Sequence, residues 1–277
     1  MKKAHVSKRT QAGFTLMELL ISLGIFIVIS GAAFGLLDVA QKRFQTDGQI
    51  LSSFQQGRLA LDQIVRDVND AGYPPQNEFY ASISAANYAV TPVAWSPSYP
   101  TTTCAIGSCT SPGGFDLILE EYTSSAGAMQ WIRYQLSGTT LYRGTLTKAV
   151  ATDPSTAMTI ANGTLFPYAT NVINNASSAQ LTAINSAYPG TFPSSSPVPI
   201  FTYDCDTATT PTPCTSAGAT YNTPTNIRDV EVTLIIQTES NDITNGQMKL
   251  VTLHGRGRRH IPTLYRTSFG GRHGALD

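Results

Sequence analysis

Three groups of side chains in this chain have types and spacings that chemistry needs. The first is Glu18, a carboxylate standing alone in the 24-residue run Phe14–Leu37, FTLMELLISLGIFIVISGAAFGLL. A charge inside an apolar span costs about 2.5–3.5 kcal/mol on insertion scales, so it calls for a positive partner at its own depth. An α-amino group freed by cleavage just before Phe14 would be such a partner. The second group is four cysteines in two close pairs, Cys104 with Cys109 and Cys205 with Cys214. Two short-loop disulfides are the natural reading; zinc is the alternative, but neither pair has a histidine nearby. The third group is acidic: Asp204 and Asp206 flank Cys205, and Glu120 adjoins Glu121. Oxygen ligands gathered on a loop suit calcium, but this spacing matches no EF-hand, so no metal or other cofactor is assigned.

Catalytic patterns are missing. Beyond residue 13 the histidines are His254, His260 and His273, all near the carboxyl end. There is no nucleophile elbow, zinc-protease helix, phosphate loop or dinucleotide fingerprint. The expectation is a protein that is not an enzyme.

The elements that must position these residues follow from patterning. MKKAHVSKRTQAG carries four basic residues and no acid, and the apolar run follows at once. As a helix, 24 residues span roughly 36 Å, enough for a ~30 Å hydrocarbon core. Basic residues on the amino side predict a cytoplasmic leader and an outward carboxyl side. Past Leu37, residues Ile50, Phe54, Gly57, Leu61, Ile64, Val65 and Val68 recur at helical spacing, with Gln55, Arg58, Asp62, Arg66 and Asp70 opposite. One helix is therefore predicted from about 14 to 71, ending where Gly72 can cap it and Pro74-Pro75 cannot continue it.

The string KRTQAGFTLMELL resembles the signal of type IV prepilins and type II secretion pseudopilins. The resemblance implies cleavage between Gly13 and Phe14 by a prepilin peptidase, N-methylation of Phe14, and Glu18 as the carboxylate that pairs with a neighbouring subunit's terminus. Gly31 and Gly35 form a small-xxx-small pair suited to close helix approach. Further on, Ala60, Leu61, Asp62, Arg66, Asp67, Ala71, Gly72 and Tyr73 resemble the helix end of W-type minor pilins and J-type pseudopilins. IRYQLSGTTLYR resembles the hairpin that follows in the same group.

The globular part reads as strands at Phe115–Tyr122, Gln130–Leu136, Leu141–Leu146, Ile200–Tyr203, Val230–Ile236 and Met248–His254, with long loops between. From Ala149 to Ile227 there is no Lys or Arg. The tail from His254 is basic, with Arg256, Arg258, Arg259, Arg266 and Arg272 against one acid. It reads as a solvated end docking on an acidic neighbour, or as a DNA-contacting patch with Tyr265 and Phe269.

Together these predict an α+β protein: leader 1–13, membrane half of the helix 14–37, amphipathic half 38–72, and an antiparallel β head over 73–277. The implied role is a structural subunit, a minor pilin that primes or caps a type IV pilus, with a J-type pseudopilin of type II secretion as the alternative. A pilus-tip adhesin or DNA-binding module is the further reading. The implied partners are the prepilin peptidase, other minor and major pilins or pseudopilins, and the inner membrane, with DNA or a surface ligand as a weaker expectation. The implied location is the inner membrane, single-pass with a periplasmic head, and then the pilus or pseudopilus tip. The formal charge of zero hides an uneven distribution: the leader carries +4 and the chain from Phe14 about −4.

Overall fold

The structure is a computed structural model and describes residues 13, 15–75, 84–123, 128–207, 210–242 and 246–259. The leader up to position 12, Phe14, and the tail residues His260, Tyr265, Arg266, Phe269, Arg272 and His273 lie outside the described residues.

One helix, α1 (Leu16–Asp70), dominates the architecture. At 1.5 Å per residue it is about 83 Å long. Thr15 caps its amino end, and the chain leaves helical geometry at Ala71, with Gly72 at φ 90°. That positive φ is why glycine, and not another residue, turns the chain out of the helix. The helix has two characters. Its apolar membrane-length part has no buried residue, and the leucines, isoleucines and phenylalanines from Leu16 to Leu37 are exposed. Burial starts at Ser53 and continues through Gly57, Ala60, Leu61, Ile64, Asp67 and Val68. These positions share one face, as the spacing predicted.

Two antiparallel sheets receive that face. The first runs in the order β1 (Val93–Ala94), β2 (Asp116–Thr123), β3 (Ala128–Ser137), β4 (Thr140–Thr147), β5 (Phe166–Ala169). The second has β6 (Phe201–Cys205), β7 (Thr212–Pro213), β8 (Ile227–Gln237) and β9 (Leu250–Arg258) in the order β7-β6-β8-β9. An isolated bridge, Val172 to Ile236, ties the sheets. A single apolar core joins α1 to both: Leu61, Ile64 and Val68 pack with Leu117, Leu119, Ile132 and Tyr134 from the first sheet and Phe201, Val230, Val232, Leu234 and Ile236 from the second. The α+β class expected from the sequence is the one observed.

The strands differ from expectation at their ends and in number. The last one continues through Gly255 and Arg258, where a tail was expected. Its glycines are required by close packing. A Cβ on Gly255 would stand 2.8 Å from Leu61 Cδ1, and one on Gly257 2.6 Å from Val68 Cγ1. Gly57 of α1 repeats this from the other side, with Ile236 Cδ1 at 2.5 Å. The stretch without Lys or Arg also holds more order than loops. It contains β5, a short helix α2 (Pro154–Ala157) and α3 (Ser178–Ala187). Helix α3 buries Leu181, which packs with Ile173, Phe192 and Ile235 on the far side of the second sheet.

Candidate functional site

Chemistry-bearing side chains collect at the two ends of α1 and on the outer face of the second sheet. At the amino end, Thr15 and Glu18 form a reciprocal capping box. The Thr15 N–H donates to Glu18 Oε2 at 2.9 Å, the Thr15 hydroxyl donates to the same oxygen at 3.1 Å, and the Glu18 N–H donates to Thr15 Oγ1 at 3.3 Å. Free N–H groups at a helix start favour a carboxylate there. The Glu18 carboxylate is thus aimed back along the chain, toward position 14. Thr15-x-x-Glu18 is a capping-box signature that was readable in the sequence and was missed in favour of Glu18 alone.

At the carboxyl end of α1, three residues that stand apart in the chain converge. Asp67 reaches from the helix to β3 and β4. Its Oδ2 accepts from the Tyr134 hydroxyl at 2.6 Å and from Arg143 Nη2 at 2.7 Å and Nε at 3.1 Å. Gln63 donates to Oδ1 at 2.5 Å. Arg143 also lies over the Tyr134 ring, 5.6 Å from its centroid. Burial, and then the neighbouring Asp67 charge, push the Tyr134 hydroxyl above its ordinary pKa, so it remains a donor. Asp67, Tyr134 and Arg143 all belong to the strings that carried the resemblance, and they form one joint between stem and first sheet. Sequence reading placed them in motifs and gave them no shared contact.

A second buried hub lies behind that sheet. Glu120 is fully buried, and its Oε2 receives Lys148 Nζ at 2.9 Å and the Val90 N–H at 2.8 Å. Its Oε1 receives the Trp131 indole N–H at 3.0 Å and the Tyr99 hydroxyl. This hub pins the loop carrying Tyr88 to Tyr99 onto β2 and β3, and Lys148 also donates to the Tyr88 carbonyl at 3.0 Å. Beside it, Arg133 pairs with Asp116, and Arg133 Nη1 donates to the Ser155 carbonyl at 2.8 Å. Burial nevertheless keeps the Asp116 carboxyl above its usual range.

The acids weighed for calcium lie on different elements and faces. Glu120 and Glu121 are neighbours on β2, so they point to opposite faces of the sheet. Asp206 pairs with Arg228 at 3.3 Å and Arg259 at 3.0 Å, and Asp204 pairs with Arg256 at 2.9 Å. Fully buried Asp229 takes Arg256 at 2.7 Å and Arg258 at 2.8 Å. Burial alone would raise the Asp229 carboxyl, but the hydrogen bonds from Arg258 and Arg256 outweigh it and hold the group below its usual range. Among the described residues no group of three or more His, Cys, Asp or Glu is placed to hold a metal ion. The same network accounts for the described part of the basic tail: Arg256, Arg258 and Arg259 meet acids of their own head.

Both cysteine pairs are disulfides, Cys104–Cys109 and Cys205–Cys214, with Cα atoms 5.6 Å and 4.8 Å apart. The second closes the end of β6 onto the turn after β7.

Residues 8–34 match the family model of the prokaryotic N-terminal methylation motif. No curated protein and no solved structure matches the chain. The class is defined at that point: this is a chain with a type IV pilin-like prepilin signal, carried on a long helix packed against an antiparallel β head. The match ends within the apolar part of α1, where Gly31 and Gly35 have no neighbour within 4 Å of an added Cβ.

Proposed function

We propose that this chain is a minor pilin or pseudopilin, a structural subunit that primes or caps a type IV pilus. The observation that supports the reading is a methylation motif set on a helix of two unlike halves. One half offers an unpaired apolar surface, and the other is locked to a head. The proposed sequence of events starts with the leader 1–13 on the cytoplasmic side. The prepilin peptidase cleaves between Gly13 and Phe14 and methylates Phe14. Residues 14–37 then hold the subunit in the inner membrane, 38–72 carry the stem outward, and 73–277 form the periplasmic head.

Glu18 is the proposed assembly carboxylate. In the isolated chain it caps its own helix. On assembly a neighbour's terminal ammonium takes its place in the pairing, replacing neutral N–H donors with a charge in an apolar setting where water does not compete. The proposed partners are other minor and major pilins or pseudopilins, and the proposed position is the tip. The J-type pseudopilin of a type II secretion system is the alternative, because the Asp67, Tyr134 and Arg143 joint is built from strings shared with both groups.

Mass spectrometry of the processed protein tests the foundation. N-methylated Phe14 at the amino terminus is the expected species, and an uncut Met1 sinks the reading. Glu18→Ala is expected to be cleaved normally yet fail to enter fibres; normal incorporation would remove Glu18 from the assembly step. Deletion separates the two systems: loss of pili points to the pilus, and loss of protein secretion with pili intact points to type II secretion.

A further inference from the structure

Glu121 is an ionisable group that the joint surrounds without satisfying. It sits on the α1-facing side of β2, beside the residues that seat the helix end. Its Oε2 is shut off from solvent and has no hydrogen-bond partner among the described residues, and neither has Thr123 Oγ1 two residues along the same strand. Among the described residues, the charges that face it come from two elements. From α1 come Asp67 and Asp70, both repelling a carboxylate; from β4 comes Arg143, which attracts it. Arg143 already gives Nε and Nη2 to Asp67 and a bond to the Tyr134 hydroxyl. On β3 the directly paired residue is Gln130, and Tyr134 is turned to Asp67. On the opposite face of β2 the Lys148 ammonium is held by Glu120. A third carboxylate charge at this point would be unpaired, partly desolvated and next to two like charges, and each of these disfavours ionisation.

We propose that Glu121 is a proton-operated switch on the stem–head joint: neutral, it lets the last turns of α1 seat on the first sheet, and ionised, it drives Asp67 and Asp70 away and competes for Arg143. The backbone makes this spot a lever. The Gly72 N–H donates to the Glu120 carbonyl at 2.7 Å, so the end of α1 is tied to the same strand that carries Glu121. Burial first, then Asp67 and Asp70, push the Glu121 carboxyl up to about 7, which sets the switching range near neutrality. The inference stands on the head alone and holds whether or not the chain enters a pilus.

Hydrogen exchange of the full chain in detergent micelles, corrected for intrinsic rates, tests it between pH 5.5 and 8.5. Protection over residues 64–71 and 116–123 is expected to fall about tenfold between pH 5.5 and about 7, with a midpoint near 6, and to level off above 7, as linkage requires when the folded state holds the proton more tightly. Glu121→Gln mimics the neutral acid and is expected to stay protected throughout. Asp70→Asn removes one repelling charge and is expected to move the midpoint to lower pH. Glu231→Gln, on the outer face of the second sheet, is expected to leave the transition unchanged. Protection independent of pH in the wild type, a Glu121→Gln curve that follows the wild type, or a midpoint unmoved by Asp70→Asn would overturn the proposal.

Discussion

The two halves of α1 are continuous in backbone and opposite in what they ask of their surroundings. From Leu16 to Leu37 the helix is apolar, buries nothing, and leaves side chains such as Phe26 and Phe34 exposed. From Ser53 to Asp70 it buries one face and pins it with the Asp67, Tyr134 and Arg143 contacts. Within the chain the first half has no packing partner among the described residues, and the second is packed by the chain itself. A helix of the first kind keeps one carboxylate, Glu18, at the edge of its apolar surface. A helix of the second kind keeps one carboxylate, Asp67, within its buried face near the carboxyl end. The same chemical group has a proposed role in assembly in one place and a role in folding in the other, and the difference lies in whether partners are supplied in cis.

That contrast is open to breaking from either side. The largest expected effect on stability is at the joint. Asp67→Ala leaves Arg143 and Tyr134 facing an empty, buried site, and removing one partner of such a pair costs about 3–5 kcal/mol. Thermal unfolding of the head in detergent should show a lowered midpoint, while the proposed processing at Gly13–Phe14 continues. Equal stability would mean that the helix is seated by apolar packing alone.

Close packing comes next. Gly257→Val places branched atoms against Val68 and the Val65 carbonyl, and overpacking of this kind costs about 1–3 kcal/mol. At Gly31, in the apolar half, an added Cβ meets nothing within 4 Å outside its own helix backbone, so Gly31→Val is accommodated there. It should leave head unfolding unchanged and alter only incorporation into fibres. Co-purification with neighbouring subunits separates the two variants.

The pH response gives a third, smaller contrast within the head. For Glu121, raised to about 7, the stabilising contribution is full below the unfolded value near 4.5 and is lost as pH rises through 7. For Asp229 the sign is reversed: its pKa is lowered from 3.8, so its contribution is present above 3.8 and lost as pH falls through the folded value. Urea unfolding between pH 3 and 8.5 should therefore give a dome with its maximum near pH 4. Glu121→Gln should flatten the alkaline limb and leave the acid limb in place.

The smallest effect is expected at the solvated face of the stem. Arg58 and Asp62 are exposed and sit 3.8 Å apart at i,i+4 spacing. Arg58→Ala should change stability by no more than about 0.5 kcal/mol. A larger loss by calorimetry would show that this face is covered after all.

Much of this was legible in residue order. The helix, its end at Gly72, its buried face and the strands with alternating Val230, Val232, Leu234 and Ile236 follow from local periodicity, which a sequence displays directly. Glycines were harder. Gly255 and Gly257 looked like a flexible tail, because a chain alone does not say that a helix will lie 3 Å away. Helix α3 escaped notice because its Ser, Ala, Asn and Thr residues carry one deeply buried apolar anchor, Leu181, too little for a periodic signal.

What the sequence determined by itself is the amino-terminal half: signal, span and lone carboxylate are contiguous, and their chemistry is set by neighbours in the chain. Tertiary structure alone decided the rest. It paired Asp67 with Arg143 across 76 positions and Arg258 with Asp229 across 29. It also turned adjacent Glu120 and Glu121 to opposite faces, giving one a lysine and leaving the other unpaired. A charge takes its meaning from what stands within a few ångströms of it, and in a folded sheet those neighbours are distant in the chain.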